Sequence, residues 1–340
     1  MDNSTLRFAL SPLGVPELRS GSFGFVFRAT EEGTGRQVAV KKSRVSKKVA
    51  RSTLRHEACI LQLLQGHGAI PALLGYCHFK HFEFIAMELL GPSVAEQKKD
   101  GAGLAALQHI HLLDIIHRDL RPVNILCAFH DPSTIKIIDF GISKSFSRGY
   151  SSKLKCEPQH LIGSLYWASL NSHNVEDLAP RDDIESLVLV VLYLVRGTLP
   201  WKPRSRLERP QRSKEVVRRT EAISTGPKLF AGFPDEFGWL LTYSCSLAFD
   251  GLPDYDDIRR RFTMVSERLG LSPDSGPLDW TPCYTTIVDN IETEHELGQY
   301  PDDDDGKIAC DPNAILHCHL IGSDEDSYHE WDYAMWQLRG

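Results

Sequence analysis

Three oxygen-bearing side chains set close together could do chemistry in this chain. Residues 115–141 read IIHRDLRPVNILCAFHDPSTIKIIDFG. Four residues separate Asp119 from Asn124, and Asp139 follows Asn124 by fifteen. A carboxylate on a loop suits acceptance of a hydroxyl proton. Asn and Asp oxygens suit a hard cation such as Mg²⁺, which takes few protein ligands and shares the rest with phosphate oxygens. A proton acceptor with cation ligands is what phosphoryl transfer needs. Ile125-Leu126 and Ile137-Ile138 read as short apolar strands that set Asn124 and Asp139 facing each other.

The order H-R-D-x-x-x-x-N then D-F-G resembles that of protein kinases. Upstream, Gln37-Val38-Ala39-Val40-Lys41 reads as a strand of the matching V-A-I-K type, with Val40 for Ile. Lys42 is the alternative cation, and alternation points it to the other face. Before this strand, residues 18–29 read LRSGSFGFVFRA. Gly21 and Gly24 permit close backbone approach to phosphates. Arg19 stands where a full G-x-G-x-x-G would begin, so taken alone the segment is a glycine-containing hairpin. Glu57, Ile60, Leu61 and Leu64 lie at helical spacing. Glu57 is either the partner of Lys41 or one more solvated helix acid. Residues 73–76 and 82–87 read as two further strands, and 88–93 leaves the second into a turn.

The resemblance implies an α+β, bilobal fold: a small β-rich N-lobe with one main helix and a larger, mostly helical C-lobe. It implies ATP and Mg²⁺ as cofactors, and protein substrates. Catalysis would fall to Asp119, Lys41, Glu57 and Arg121, and Mg²⁺ to Asn124 and Asp139. The nucleotide would meet Gly21, Ser22, Phe23, Gly24, Val26, Ala39, Lys41, Met87, Glu88, Leu90 and Leu126. His117 and Phe140 would build the core behind the site.

Further segments narrow the resemblance to the casein kinase 1 family. Residues 63–94 and 163–201 resemble it, the latter with Ser169-Leu170-Asn171-Ser172-His173 where other protein kinases carry A-P-E. Residues 181–187, RDDIESL, match the opening of a buried helix in that family. There Asp183 would brace the catalytic loop by accepting backbone hydrogen bonds. Residues 232–241 and 252–262 resemble its late helices, so coverage runs from about 18 to 280. The implied activity is Ser/Thr protein kinase. The domains that follow are an irregular lead-in over 1–17, a kinase domain over 18–280 with its lobes meeting near 90, and an acidic tail over 281–340.

Three departures set a second reading beside this one. Between 94 and 116 the family has two helices, but Gly101 and Gly103 leave room for one short helix at about 104–111. Arg121 replaces the usual Lys, keeping the charge on a planar, bulkier group. Tyr166 stands where the family has an anion-binding Arg, which counts against a preference for pre-phosphorylated substrates. With Arg19, the first two departures argue for a catalytically weak or dead scaffold.

Composition bounds the rest. The chain has 340 residues, 42% hydrophobic and 24% charged, as a globular protein should. Its longest apolar run, 187–195, is too short for a membrane span, and residues 1–10 lack the pattern of a signal peptide. Eight cysteines without a C-x-x-C pair read as free thiols in a reducing compartment, cytoplasmic or nuclear. Cys310, His317, Cys318 and His319 have no second pair to complete a zinc set. Residues 271–340 carry 16 acidic and 2 basic residues, against 29 and 36 in residues 1–270. Nothing points to nucleic acid, and nothing sets the oligomeric state. Arg204, Arg206, Arg209, Arg212, Lys214, Arg218 and Arg219 either favour acidic substrates or form a solvated basic loop. Trp331, Tyr333, Trp336 and Leu338 suggest a docking element, and Ser327, behind three acids, an autophosphorylation site.

Overall fold

The computed structural model describes residues 6–10, 19–21, 24–45, 52–79, 81–94, 103–146, 160–202, 210–270 and 307–310. The chain divides into two units. An antiparallel sheet dominates the first and helices the second, as the α+β, bilobal expectation requires.

The first unit comprises 1–65, 71–89 and 296–340. Its strands are β1 (Leu6–Leu10), β2 (Arg19–Gly21), β3 (Gly24–Glu31), β4 (Gln37–Arg44), β5 (Leu73–His78), β6 (Phe82–Glu88) and, from far along the chain, β12 (Lys307–Cys310). The order is β12-β1-β3-β4-β6-β5, with β2 also on β3. Alternation along β4 sorts its side chains. Val38 and Val40 join Ala29, Cys77, Phe84 and Ala86 in one core cluster. Lys42 lies over Phe82 and Phe84, its Nζ 4.2 and 5.6 Å from the ring centroids.

Helix α1 (Thr53–Leu64) packs on β5 and β6. Ser52 caps it, accepting the Arg55 N–H at 3.2 Å. Leu54, Glu57, Ala58, Ile60, Leu61 and Leu64 form its buried stripe. One expectation needs correction here. The irregular lead-in over 1–17 contains β1, and the acidic tail contains β12, paired with each other from Leu6↔Cys310 to Ala9↔Lys307. Each is short and lacks a strong pattern of its own. Pairing of β1 with β3, and of β12 with β1, supplies what local sequence does not.

The second unit comprises 66–70 and 90–295. In chain order it holds β7 (Leu90–Ser93), α2 (Gly103–Leu112), β8 (Ile115–Ile116), a 3₁₀ turn at Pro122–Asn124, β9 (Ile125–Ala128), β10 (Asp131–Ile137) and β11 (Lys144–Ser145). Helices α3 (Leu170–His173), α4 (Pro180–Arg196), α5 (Pro210–Ala222), α6 (Gly226–Leu229), α7 (Asp235–Ser246) and α8 (Tyr255–Arg268) follow. The turn expected over 88–93 is in fact strand β7 on the edge of β9. Only Leu90↔Ala128 and Ser93↔Leu126 pair, and Gly91-Pro92 occupies the irregularity between them. Helix α2 has the short length expected from its glycines. Helix α4 starts with Pro180, places Asp182 and Asp183 in its first turn and stops at Gly197, φ 77°. Ile184, Leu187, Val188, Leu189, Val190 and Leu192 are buried around it, which makes it the central helix of this unit. Among the described residues no helix is long and apolar enough to cross a membrane.

Candidate active site

Each unit presents its own group of the expected residues. In the first, strand β4 carries Lys41 and helix α1 carries Glu57. Lys41 Nζ donates to Glu57 Oε2 at 2.7 Å, with the side chains 9% and 3% exposed. Burial makes this pair costly to split, since a lone buried charge has no water to solvate it. Lys41 rather than Lys42 is the partner of Glu57, and Lys42 turns instead to the rings of Phe82 and Phe84. Around Lys41, Val26 is opposite it in register and Ala39 is opposite Met87. Gly21 pairs with Gly24, closing the β2–β3 hairpin across Ser22 and Phe23, which lie outside the described residues. Arg19 sits in that hairpin opposite Val26. The Glu88 N–H donates to Ala72 O at 2.9 Å, and its carboxylate accepts the Ala72 N–H at 3.0 Å.

In the second unit the 3₁₀ turn and strand β9 position Asn124. Its Nδ2 donates to Asp119 O at 2.9 Å and to Asp119 Oδ2 at 3.3 Å. These bonds commit the amide nitrogen and leave the amide oxygen, the hard donor, for a cation. Its backbone carbonyl accepts the Ile138 N–H at 3.0 Å, so the turn carrying Asn124 also aligns the residue before Asp139. Leu126 pairs with Lys136 on one side and with Ser93 of β7 on the other, and Leu90 opens β7. His117 and Phe140 are fully buried and meet edge to face, centroids 4.9 Å apart. The His117 ring also bonds Ile138 O at 3.0 Å. Together they form the wall behind the loop.

The Asp119 carboxylate is crowded. Ser164 Oγ donates to Oδ1 at 2.6 Å, and Arg121 Nε lies 3.4 Å from Oδ2. Burial raises its pKa above the ordinary carboxylate range. Ser164, Arg121 and His117 pull it back, and the nearby charge of Asp139 raises it again. A raised pKa makes Asp119 a better proton acceptor than a free carboxylate. Like charge between Asp119 and Asp139 also favours a cation beside them. Among the described residues no group of three or more His, Cys, Asp or Glu could hold a metal by itself. A cation here would share its coordination with phosphate oxygens, the habit of Mg²⁺. The donor set therefore fits Mg²⁺ with a nucleotide.

Two residues of the loop hold left-handed backbone: Arg118, φ 69°, and Asp139, φ 70°. Such strain persists only where neighbours fix it. Asp183, on α4, does so for Arg118. Its Oδ2 accepts the His117 N–H at 2.7 Å and its Oδ1 the Arg118 N–H at 2.9 Å, as the sequence comparison implied. Arg118 Nε donates to Ile142 O at 2.7 Å. Gly163 lies against the same loop. A Cβ there would stand 2.5 Å from Arg118 O, and φ is 88°, so only glycine fits.

The SLNSH and RDDIESL segments are bonded to each other. Ser169 Oγ and Asn171 Nδ2 donate to Asp182 Oδ1 at 2.7 and 2.9 Å, and the Leu170 N–H to Glu185 Oε1 at 3.0 Å. Tyr166 O accepts the Trp201 Nε1–H at 3.1 Å. Of the basic set, Arg218 donates to Glu215 and, at 3.5 Å, to Asn174 Oδ1, while Lys214 is exposed. Arg204, Arg206, Arg209, the side chains of Arg212 and Arg219, and all of 311–340, Ser327 and Trp331 included, lie outside the described residues.

Sequence reasoning did not pick out Ser164, Gly163, His111 or Tyr255. Ser164 and Gly163 carried a signal, because they open the 163–201 segment. His111 and Tyr255 carried none, each lying in a helical stretch with a structural reading at hand. The family model for the protein kinase domain matches residues 15–236, well over half of the chain.

Proposed function

The chain belongs to the protein kinase domain family, and from that premise we propose that it is a Ser/Thr kinase of the casein kinase 1 type. It transfers the γ-phosphate of ATP to Ser or Thr hydroxyls of protein substrates. The observation that carries this reading is the pairing of Asn124 with Asp119, both buried, with Asn124 bonded to the main chain and carboxylate of Asp119. One amide thus ties the proton acceptor to a cation ligand. Asp119 orients the substrate hydroxyl and takes its proton. Lys41, held by Glu57, grips phosphate oxygens. Asn124 and Asp139 would hold Mg²⁺, which would supply positive charge to offset that developing on the phosphate oxygens. Arg121 keeps a positive charge beside Asp119 and the transferred group. The mutual bonding of the SLNSH and RDDIESL segments supports the casein kinase 1 type.

One observation favours a scaffold without catalysis. Both Asp119 oxygens are engaged, one by Ser164 and the other by Asn124 and, as an ion pair, Arg121. A substrate hydroxyl must compete with these partners. Incubation with casein and Mg-ATP, followed by mass spectrometry of the modified residues, separates the readings. Phosphoserine or phosphothreonine supports the kinase. Nucleotide binding without any transfer supports the scaffold, and phosphate on small alcohols alone a small-molecule phosphotransferase.

A further inference from the structure

Helix α2 is only ten residues long, yet it packs on β8, which leads into the loop that carries Asp119. Its last turn holds His111, whose ring is fully buried and bonded at both nitrogens. Nε2 lies 2.9 Å from Asp183 Oδ2, and Nδ1 meets the Tyr255 hydroxyl at the start of α8. Asp183 accepts the His117 and Arg118 N–H groups with the same carboxylate. A continuous chain of hydrogen bonds therefore runs from α8, through α2 and α4, into the backbone beside Asp119. A second tie joins the same two helices, from Arg259 to Gln108.

The protonation states along this chain follow from its partners. Burial pushes the Asp183 carboxyl up, but the hydrogen bonds it accepts, first from the His111 ring and also from the Arg118 N–H, outweigh it and hold the group below the usual range. An ionised carboxylate only accepts, so Nε2 of His111 carries the proton. Burial, with the charge of Asp183 close by, pushes the Tyr255 phenol up, so it keeps its proton. Nδ1 of His111 is then the acceptor of the Tyr255 O–H. Every member has one role, which fixes the tautomer and the ring orientation.

We propose that Tyr255 is a positioning residue of the active site: its hydroxyl sets the His111 ring, the ring sets Asp183, and Asp183 holds the strained backbone at Arg118. The role rests on the kinase reading for its catalytic consequence, but not for its structural one. Helix α8 thereby supplies, from outside, part of the support that a longer α2 would give from below. Buried networks of this kind act as a unit, so removing the far member is felt at the near one.

Tyr255→Phe keeps the ring and removes only the hydroxyl. Hydrogen exchange of the full-length variant is expected to speed up at the His117 and Arg118 amides by about tenfold, the worth of one buried hydrogen bond. The turnover number should fall by a similar factor while KM for ATP holds. In a His111→Ala background, adding Tyr255→Phe should change neither reading further. In the unmodified protein, ring-nitrogen NMR should show His111 protonated at Nε2 only. Unchanged exchange in Tyr255→Phe, fully additive effects in the double variant, or a proton on Nδ1 overturns the proposal. A wild-type chain that transfers no phosphate overturns the kinase reading instead, and the exchange and NMR results still decide the role of Tyr255.

Discussion

Arg118 holds a left-handed backbone at φ 69°, and its N–H donates to Asp183 Oδ1 at 2.9 Å. Non-glycine residues in this conformation cost about 1–3 kcal/mol. A buried carboxylate with several charge-assisted partners can offset such a cost. The loop that presents Asp119 is thus shaped by α4 rather than by its own sequence. Asp183→Ala should leave two backbone N–H groups and His111 without their acceptor. We expect a loss of roughly 3 kcal/mol or more, read as a lowered denaturation midpoint, together with loss of transfer activity.

Lys41→Met tests the other unit. It removes the charge that faces the buried Glu57 carboxylate at 2.7 Å. Breaking a buried pair from one side costs about 3–5 kcal/mol. Lys41→Met combined with Glu57→Leu should recover much of that stability and none of the activity. Thermal melting of the three proteins beside an activity assay checks this.

Ser164→Ala addresses the pH dependence of the reaction. Asp119 must be ionised to accept a proton, so activity falls on the acid side as it becomes protonated. Burial already places that limb above the ordinary carboxylate range. The Ser164 hydroxyl stabilises the ionised form, so its loss raises the pKa further. The acid limb of the kcat profile should move to higher pH, with kcat near neutrality reduced by about tenfold. A limb that stays in place, or moves to lower pH, contradicts this account of Asp119.

A buried acidic group behind α3 sets the pH dependence of stability. Burial pushes Glu221 up to about 9, helped by the charge of Glu185, which burial itself raises to about 7. Glu221 lies 3.5 Å from His173 Nε2, and neither of its oxygens has a hydrogen-bond partner. Because its folded pKa is raised, the folded state binds the extra proton. The stability it allows is full below the unfolded value near 4.5 and is lost as pH rises toward 9. Glu221→Gln should therefore flatten the fall in melting temperature between pH 5 and 9. It should raise stability at pH 8, where the unfolded carboxyl has ionised and the folded one has not.

Much of the fold was legible because the patterns were local. The stripe Glu57, Ile60, Leu61, Leu64 has helical spacing, and Val38, Val40 against Ala39, Lys41 has strand period, so α1 and β4 could be read directly. The motif residues could be read because phosphoryl transfer fixes both type and spacing. Other elements were hidden because their causes are distant in sequence. Strand β1 depends on β3 and β12, and β7 stays extended despite Gly91-Pro92 because β9 pairs with its ends. His111 and Tyr255 are 144 residues apart, and nothing in either stretch announces the other. The short helix α2 was foreseen from Gly101 and Gly103, but its supports from Tyr255 and Arg259 appear only in three dimensions.

The most direct test is transfer of the γ-phosphate from Mg-ATP to casein by the full chain, beside Asp119→Asn and Asp139→Ala. The account predicts phosphate on Ser or Thr with the wild-type chain. It predicts a fall of about a hundredfold or more in Asp119→Asn, the usual contribution of a positioned base, and loss of Mg²⁺-dependent transfer in Asp139→Ala. A wild-type chain that binds nucleotide and transfers nothing, or an Asp119→Asn variant as fast as wild type, would contradict it.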